Sequence, residues 1–131
     1  MDVAGLSVSD NSLLFTNSGS ISLTDVEIGN ELLAAAGDSI TLGGAVELGG
    51  GSILALKDII ISGALSTDNN SIGLIASDFQ LTGTVNSGSG STTIMVNDGG
   101  SIGLVGSAGS GVDTSGSCGG SNCGMTISGS E

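Results

Sequence analysis

The sequence predicts an all-β protein whose single domain is a parallel β-solenoid of about six coils. A short phrase of Ser, Ile, any residue and Leu recurs along the chain, at spacings near one or half of a common length. The segments between copies are short, rich in Ile, Val and Leu, and separated by Gly, Ser, Asn and Asp, as strands and turns are. The chain contains only two Phe and no other aromatic residue, so stacked aliphatic side chains must fill the core.

The recurring phrase defines the expected coil. Full copies occupy 20–23, 39–42, 71–74 and 101–104, and looser copies occur at 52–56 and from residue 91. Apolar and small residues alternate inside each copy, and alternate side chains of a strand lie on one face. Like residues should therefore stack between coils. The expected core ladder is Ile21, Leu23, Ile40, Leu42, Ile53, Ile72, Leu74, Ile102 and Leu104.

Other short apolar segments supply the remaining sides of each coil. They lie at 26–28, 46–48, 59–61 and 79–81, with Gly-, Asn- and Asp-rich turns between them. The run NELLAAA at 30–36 is too short for a stable isolated helix, so it predicts a strand and a corner. An antiparallel β-sandwich is the competing fold, but such cores usually bury large aromatic side chains, which are scarce here.

One domain is expected over 1–131. It begins with an entry segment at 1–19, continues as regular coils at 20–104 and as a Gly/Ser-rich loop at 105–124, and restarts a coil at 125–131. The loop is either a flexible surface segment or a disulfide-pinned excursion that contacts a partner. Cys118 and Cys123 are the disulfide candidates, with two free thiols as the alternative.

The charge balance excludes several partners. The chain has 13 acidic residues and a single base, Lys57, for a net charge of −12. Such a chain cannot neutralise phosphates, so we expect no binding to nucleic acid or anionic membranes. No apolar run approaches the roughly 18 residues of a membrane span, so no membrane insertion is predicted. The first ten residues lack the basic start and apolar run of a signal peptide.

The residue types argue against an enzyme. The chain has no His, so a Ser-His-Asp or Cys-His arrangement is impossible and a zinc site is implausible. Lys57 beside Asp58 predicts an exposed ion pair at a coil corner rather than a catalytic base. The densest acidic group is Asp25, Glu27 and Glu31, and the apolar neighbours of Glu27 predict that it points outward. We therefore predict no catalytic residues and no cofactor.

Calcium is the one ion that the sequence leaves open. The segment NDGG at 97–100 is weakly similar to the calcium-binding nonapeptide of repeat-in-toxin solenoids. Acidic residues at predicted corners would bind ions if they stacked along one edge. These candidates are Asp38, Asp68, Asp78 and Asp98. Asp and Asn also favour turns for backbone reasons alone, so a purely structural role is the alternative.

Three stretches carry a family resemblance. They are LLAAAGDSITLGGAV at 32–46, SIGLIASDFQLTGTV at 71–85 and GMTISGSE at 124–131. With them, the chain resembles the coil region of filamentous-haemagglutinin-type exoproteins, the large adhesins secreted by two-partner systems. The resemblance implies a right-handed parallel β-helix, an extracellular or cell-surface location, and a role in adhesion, aggregation or biofilm.

Two functional hypotheses follow. The first is a structural rod segment or subunit of an extracellular fibre that self-associates head to tail. The second is a binding module that displays an outer face or the 105–124 loop to a host glycan or cell-surface receptor, although sugar platforms are usually aromatic. An ice-binding solenoid would need flat Thr-x-Thr ladders, which the isolated threonines of this chain do not form.

Overall fold

The computed structural model describes residues 1–97 and, as backbone strands, 102–105, 117–118, 121–122 and 125–128. It confirms the predicted parallel β-solenoid, with about five turns where about six were expected. The described residues contain no helix, and hence none long and apolar enough to cross a membrane.

The strands of residues 1–97 are short and follow one another with little intervening chain. In chain order they are β1 (Asp2–Ala4), β2 (Ser7–Val8), β3 (Ser12–Thr16), β4 (Ile21–Ile28), β5 (Leu32–Ala36), β6 (Ile40–Leu48), β7 (Gly51–Ala55), β8 (Asp58–Ile61), β9 (Ala64–Ser66), β10 (Ile72–Ala76), β11 (Asp78–Leu81), β12 (Thr84–Asn86) and β13 (Thr92–Val96). The run 30–36 thus forms a strand, as predicted.

These strands form two parallel sheets that enclose the core. Sheet A has the order β1-β4-β6-β8-β11, extended by β2, β9 and β12. Sheet B has the order β3-β5-β7-β10-β13. The first coil is β1 to β3, the second β4 and β5, the third β6 and β7, the fourth β8 to β10, and the fifth β11 to β13. Each coil therefore contributes to both sheets, and paired positions are about twenty residues apart.

Aliphatic side chains stack between the sheets in continuous ladders. In sheet A, Ile21 pairs with Ile40, Ile40 with Ile59, and Leu23 with Leu42. All of these side chains are buried. Burying apolar area stabilises the fold by about 25 cal/mol per Å², so the ladders are the main favourable contribution to folding.

The register shows why the phrase recurs at half-coil spacing. The copies at 20–23 and 39–42 stack in sheet A, whereas those at 52–56 and 71–74 lie in sheet B. Within sheet B the copies are offset, because Leu74 pairs with Ile53 and Ile72 lies beside Gly51. Both sides of a coil need the same alternation of apolar and small residues, so one phrase serves both sheets.

One corner of sheet A depends on glycine. Asp25 interrupts the register between β4 and β6 with a φ of 52°, and its Oδ1 accepts a hydrogen bond of 3.0 Å from the backbone N–H of Ala45. Gly44 lies against it with a φ of 61°. A Cβ at Gly44 would overlap the Asp25 carboxylate, and Cβ atoms at Gly63 and Gly83 would overlap the backbone of the preceding coil. Coils can approach closely here only because these positions lack side chains.

Four further strands follow residue 97. The strands β14 (Ile102–Val105) and β17 (Met125–Ser128) pair in parallel, and β15 (Ser117–Cys118) pairs with β16 (Ser121–Asn122) in antiparallel. The segment 105–124, expected to be a loop, thus contains a short hairpin. The Cys118 and Cys123 side chains, with the predicted disulfide, lie outside the described residues.

Candidate interaction surfaces

The outward side of sheet B is apolar. Its outward positions form two ladders that run along the solenoid axis. The first ladder is Leu13, Leu33, Ser52, Gly73 and Thr93, and the second is Phe15, Ala35, Leu54, Ile75 and Met95. Leu13 is 69%, Phe15 61% and Leu33 51% exposed. None of these ten positions carries a charge. We call this surface the apolar face.

The apolar face reflects a departure from strict alternation. Strands β3, β5 and β10 read SLLFT, LLAAA and IGLIA, so apolar residues occur on both sides of the sheet. Strand β4 of sheet A, by contrast, places Ser22, Thr24 and Glu27 outward between buried residues. The continuous apolar runs are visible in the sequence, where they predict only core strands. A strand buried on both sides has such a run, and here no residue of 1–97 covers the outward side.

Two depressions border the apolar face. At the ends of the strands, Phe15, Ala35, Leu54 and Leu56 line a largely apolar depression of about 130 Å³. At the starts of the strands, a more polar depression of about 520 Å³ lies beside Leu13, Leu33 and Glu31. The face therefore has different relief and polarity at its two rims.

A second, acidic surface lies on sheet A. Glu27 and Glu47 are register neighbours on β4 and β6, and Ser7 donates a hydrogen bond of 3.0 Å to Glu27 Oε2. A groove of about 290 Å³ joins these glutamates to Asp68 and Asn70. Within residues 1–97 no three His, Cys, Asp or Glu side chains are grouped so as to hold a metal ion. Glu27 is exposed and points outward from its strand.

Lys57 forms an ion pair, but not with the partner we expected. Its Nζ lies 3.0 Å from Asp38 Oδ1, one coil earlier, and it forms no salt bridge with its sequence neighbour Asp58. Asp58 instead accepts a hydrogen bond of 3.1 Å from Ser39. The hydrogen bond to Asp38 and the charge of that carboxylate raise the pKa of Lys57 above its ordinary value. Stacking brings residues one coil apart closer together than chain neighbours whose side chains diverge at a corner.

Two of the three described calcium candidates lie at one corner of the solenoid, and the third lies at another. Asp38 pairs with Lys57, and Asp78 is the register neighbour of Asp58 at the same corner. Asp68 lies in the turn between β9 and β10, at the opposite corner, with a φ of 44°. Asp98 is outside the described residues. Asp38 thus takes part in an ion pair, Asp78 begins a strand, and Asp68 lies in a turn.

The expected core ladder can be placed except at its end. Seven of its members are at most 2% exposed, namely Ile21, Leu23, Ile40, Leu42, Ile53, Ile72 and Leu74. Ile102 and Leu104 belong to β14, whose side chains are outside the described part. Thr67 is the one buried polar residue found in 1–97, and its hydroxyl donates to the Asn70 carbonyl at 2.5 Å.

Comparison with known proteins gives no relative for this chain. No family model, curated protein or solved structure matches it.

Proposed function

We propose that this chain is a rod segment of an extracellular bacterial surface fibre or adhesin, whose β-coils stack end to end and serve adhesion, aggregation or biofilm. The observation that supports this most directly is the edge of the first coil. Within the described strands, β1 and β3 stand at the ends of sheets A and B. The bacterial, extracellular setting rests on the resemblance in the coil sequence.

The backbone of that edge can pair with another coil. Ser22 N–H donates to the Met1 carbonyl, and Gly5 N–H donates to the Thr24 carbonyl. The backbone groups of Met1 and Gly5 in the first coil therefore point toward the second coil. Backbone groups alternate sides along a parallel strand, so the N–H of Ala4 faces the open edge. Val3, Leu6 and Leu14 are only partly buried against the core. A further coil would cover these side chains and pair the strand edge, which is how exposed edges recruit other chains.

End-to-end stacking has a definite geometry and salt dependence. The first-coil edge of one copy meets the opposite end of the next copy, and these two surfaces differ. The contact is therefore heterologous, and repeating it builds a filament. Each copy carries a net charge of −12, and copies repel as they approach. The screening length is about 10 Å at 0.1 M salt, so filament growth should be faster at higher ionic strength.

A binding module is the alternative function, and the apolar face favours it. Among the outward side chains described on sheet B, Phe15 is the one aromatic. Sugar rings usually stack on aromatic side chains, so this face suits an apolar protein receptor better than a glycan.

The test is electron microscopy at several dilutions of the wild type and of a matched pair, Ala4→Pro and Ala4→Ser. Proline removes the edge-facing N–H and is tolerated at a strand edge, whereas serine retains the N–H. We expect filaments with a layer spacing near 4.8 Å for the wild type and Ala4→Ser, and markedly fewer for Ala4→Pro. Dispersed short rods for the wild type at every concentration and salt would rule out end-to-end assembly.

A further inference from the structure

We infer that the apolar face of sheet B is a self-association surface, on which a second copy of this chain packs side by side. This contact is separate from the proposed end-to-end stacking, because it uses the outward side chains of sheet B and not the strand edges. Sheets that pack face to face lie about 10 Å apart with interdigitating side chains, and this face is free to do so in the described part of the chain.

Charge selects this face for a contact between copies. Two copies each carry a net charge of −12, so a contact that opposes carboxylates is repulsive. Sheet A presents Glu27 and Glu47 on its outward side. The ten outward positions of sheet B carry no charge, so two copies can meet there without desolvating a carboxylate.

Shape selects one orientation of the pair. Leu13 and Leu33 lie at the half of the face where the strands begin, beside the more polar depression, with exposures of 69% and 51%. The apolar depression that includes Leu54 and Leu56 lies at the other half, where the strands end. A two-fold axis parallel to the solenoid axis keeps coils level and reverses strand direction. It therefore places the exposed leucines of one copy over the apolar depression of the other, and not over its more polar depression.

The size of the face sets the expected strength. Five strands about 4.8 Å apart and about 16 Å long cover roughly 400 Å² per copy. Stable complexes bury about 800 Å² per partner, so the pair of single chains should be weak and dependent on concentration.

Sedimentation velocity from 5 to 500 μM in 0.15 M salt tests this inference. The protein used carries Ala4→Pro, which blocks end-to-end stacking, and for it we expect a monomer–dimer equilibrium. Adding Phe15→Glu/Leu33→Glu to this background should weaken the dissociation constant at least tenfold. The matched control in the same background, Gln80→Glu/Thr84→Glu, adds the same two charges at exposed positions of sheet A and should dimerise like the Ala4→Pro protein. Circular dichroism melting checks that all variants are folded.

Four results would overturn the inference. The Ala4→Pro protein could remain monomeric at 500 μM, its dimer could persist when Phe15→Glu/Leu33→Glu is added, or both added pairs could weaken the dimer equally. In the fourth, the Ala4→Pro protein remains monomeric and binds phosphatidylcholine vesicles through Phe15 and Leu33. The last result would assign the face to lipid. Ala4→Pro should still dimerise, so failure of end-to-end assembly and failure of lateral pairing are distinguishable.

Discussion

Replacing Ile40 by aspartate should abolish cooperative folding at neutral pH. Ile40 is completely buried and stacks between Ile21 and Ile59 in the sheet A ladder. Removing this side chain from the core loses about 1.5–3 kcal/mol of burial. The buried carboxyl must also be protonated, and holding it neutral at pH 7 against an ordinary pKa of about 3.9 costs about 4 kcal/mol. The sum, about 6 kcal/mol, approaches the total stability of many domains, which is about 5–15 kcal/mol.

The assay is urea denaturation followed by circular dichroism at pH 7 and pH 4. Thr41→Asp is the matched control, because Thr41 is the next residue along β6 and lies on the opposite, outward side of the sheet. It should change the free energy of unfolding by no more than about 1 kcal/mol. The loss in free energy of unfolding caused by Ile40→Asp should be smaller at pH 4 than at pH 7. At pH 4 the carboxyl is readily protonated in the unfolded chain as well, so that keeping it neutral in the folded core costs less. An Ile40→Asp protein within about 1 kcal/mol of the wild type at pH 7 would refute the inward ladder.

Two further predictions concern a corner and an ion pair. Gly44→Ala should destabilise the protein by about 2 kcal/mol or more, because the φ of Gly44 is positive and the new Cβ would overlap the Asp25 carboxylate. The matched control is Gly43→Ala, whose Cβ would make only ordinary contacts. This control should leave the stability unchanged or raise it slightly. Equal melting temperatures for the two variants would contradict this account. The pKa of Lys57 is raised above 10.5 in the folded state, so its contribution is complete below pH 10.5 and is lost as pH rises through the folded value. Lys57→Met should therefore lower the melting temperature slightly at pH 8, and this difference should shrink as the pH rises above 10.5. A difference that does not change between pH 8 and the highest pH tested would contradict the pairing.

The sequence was sufficient for the fold because the solenoid repeats one local rule. Alternating apolar residues near Ile21, Ile40 and Ile72 predict strands, and their recurrence predicts stacked coils. The distribution between sheets was not visible, because a phrase such as 52–56 has the same alternation in either sheet. Only the backbone path, with corners such as Asp25, determines which phrases stack on one another.

The candidate surfaces were harder to predict than the core. The partner of Lys57 is Asp38 rather than Asp58, because stacking makes residues one coil apart into neighbours, and the sequence does not give the register at a corner. The apolar face was missed for a different reason. An apolar run such as LLAAA at 32–36 is consistent with burial on both sides, and the sequence alone does not show which sides are covered.

The two proposed contacts reinforce each other because they are perpendicular. End-to-end stacking adds copies along the axis, and each added copy extends the apolar face by about 400 Å². The lateral contact between single chains is about half the standard size, whereas two chains stacked end to end would present about 800 Å² per side. Lateral pairing should therefore strengthen steeply with rod length, so that short rods pair only at high concentration and long rods pair at low concentration too. Electron micrographs of Ala4→Pro would then show neither filaments nor bundles, and those of Phe15→Glu/Leu33→Glu would show filaments that remain single. Bundled filaments in the second variant would place the lateral contact elsewhere on the rod.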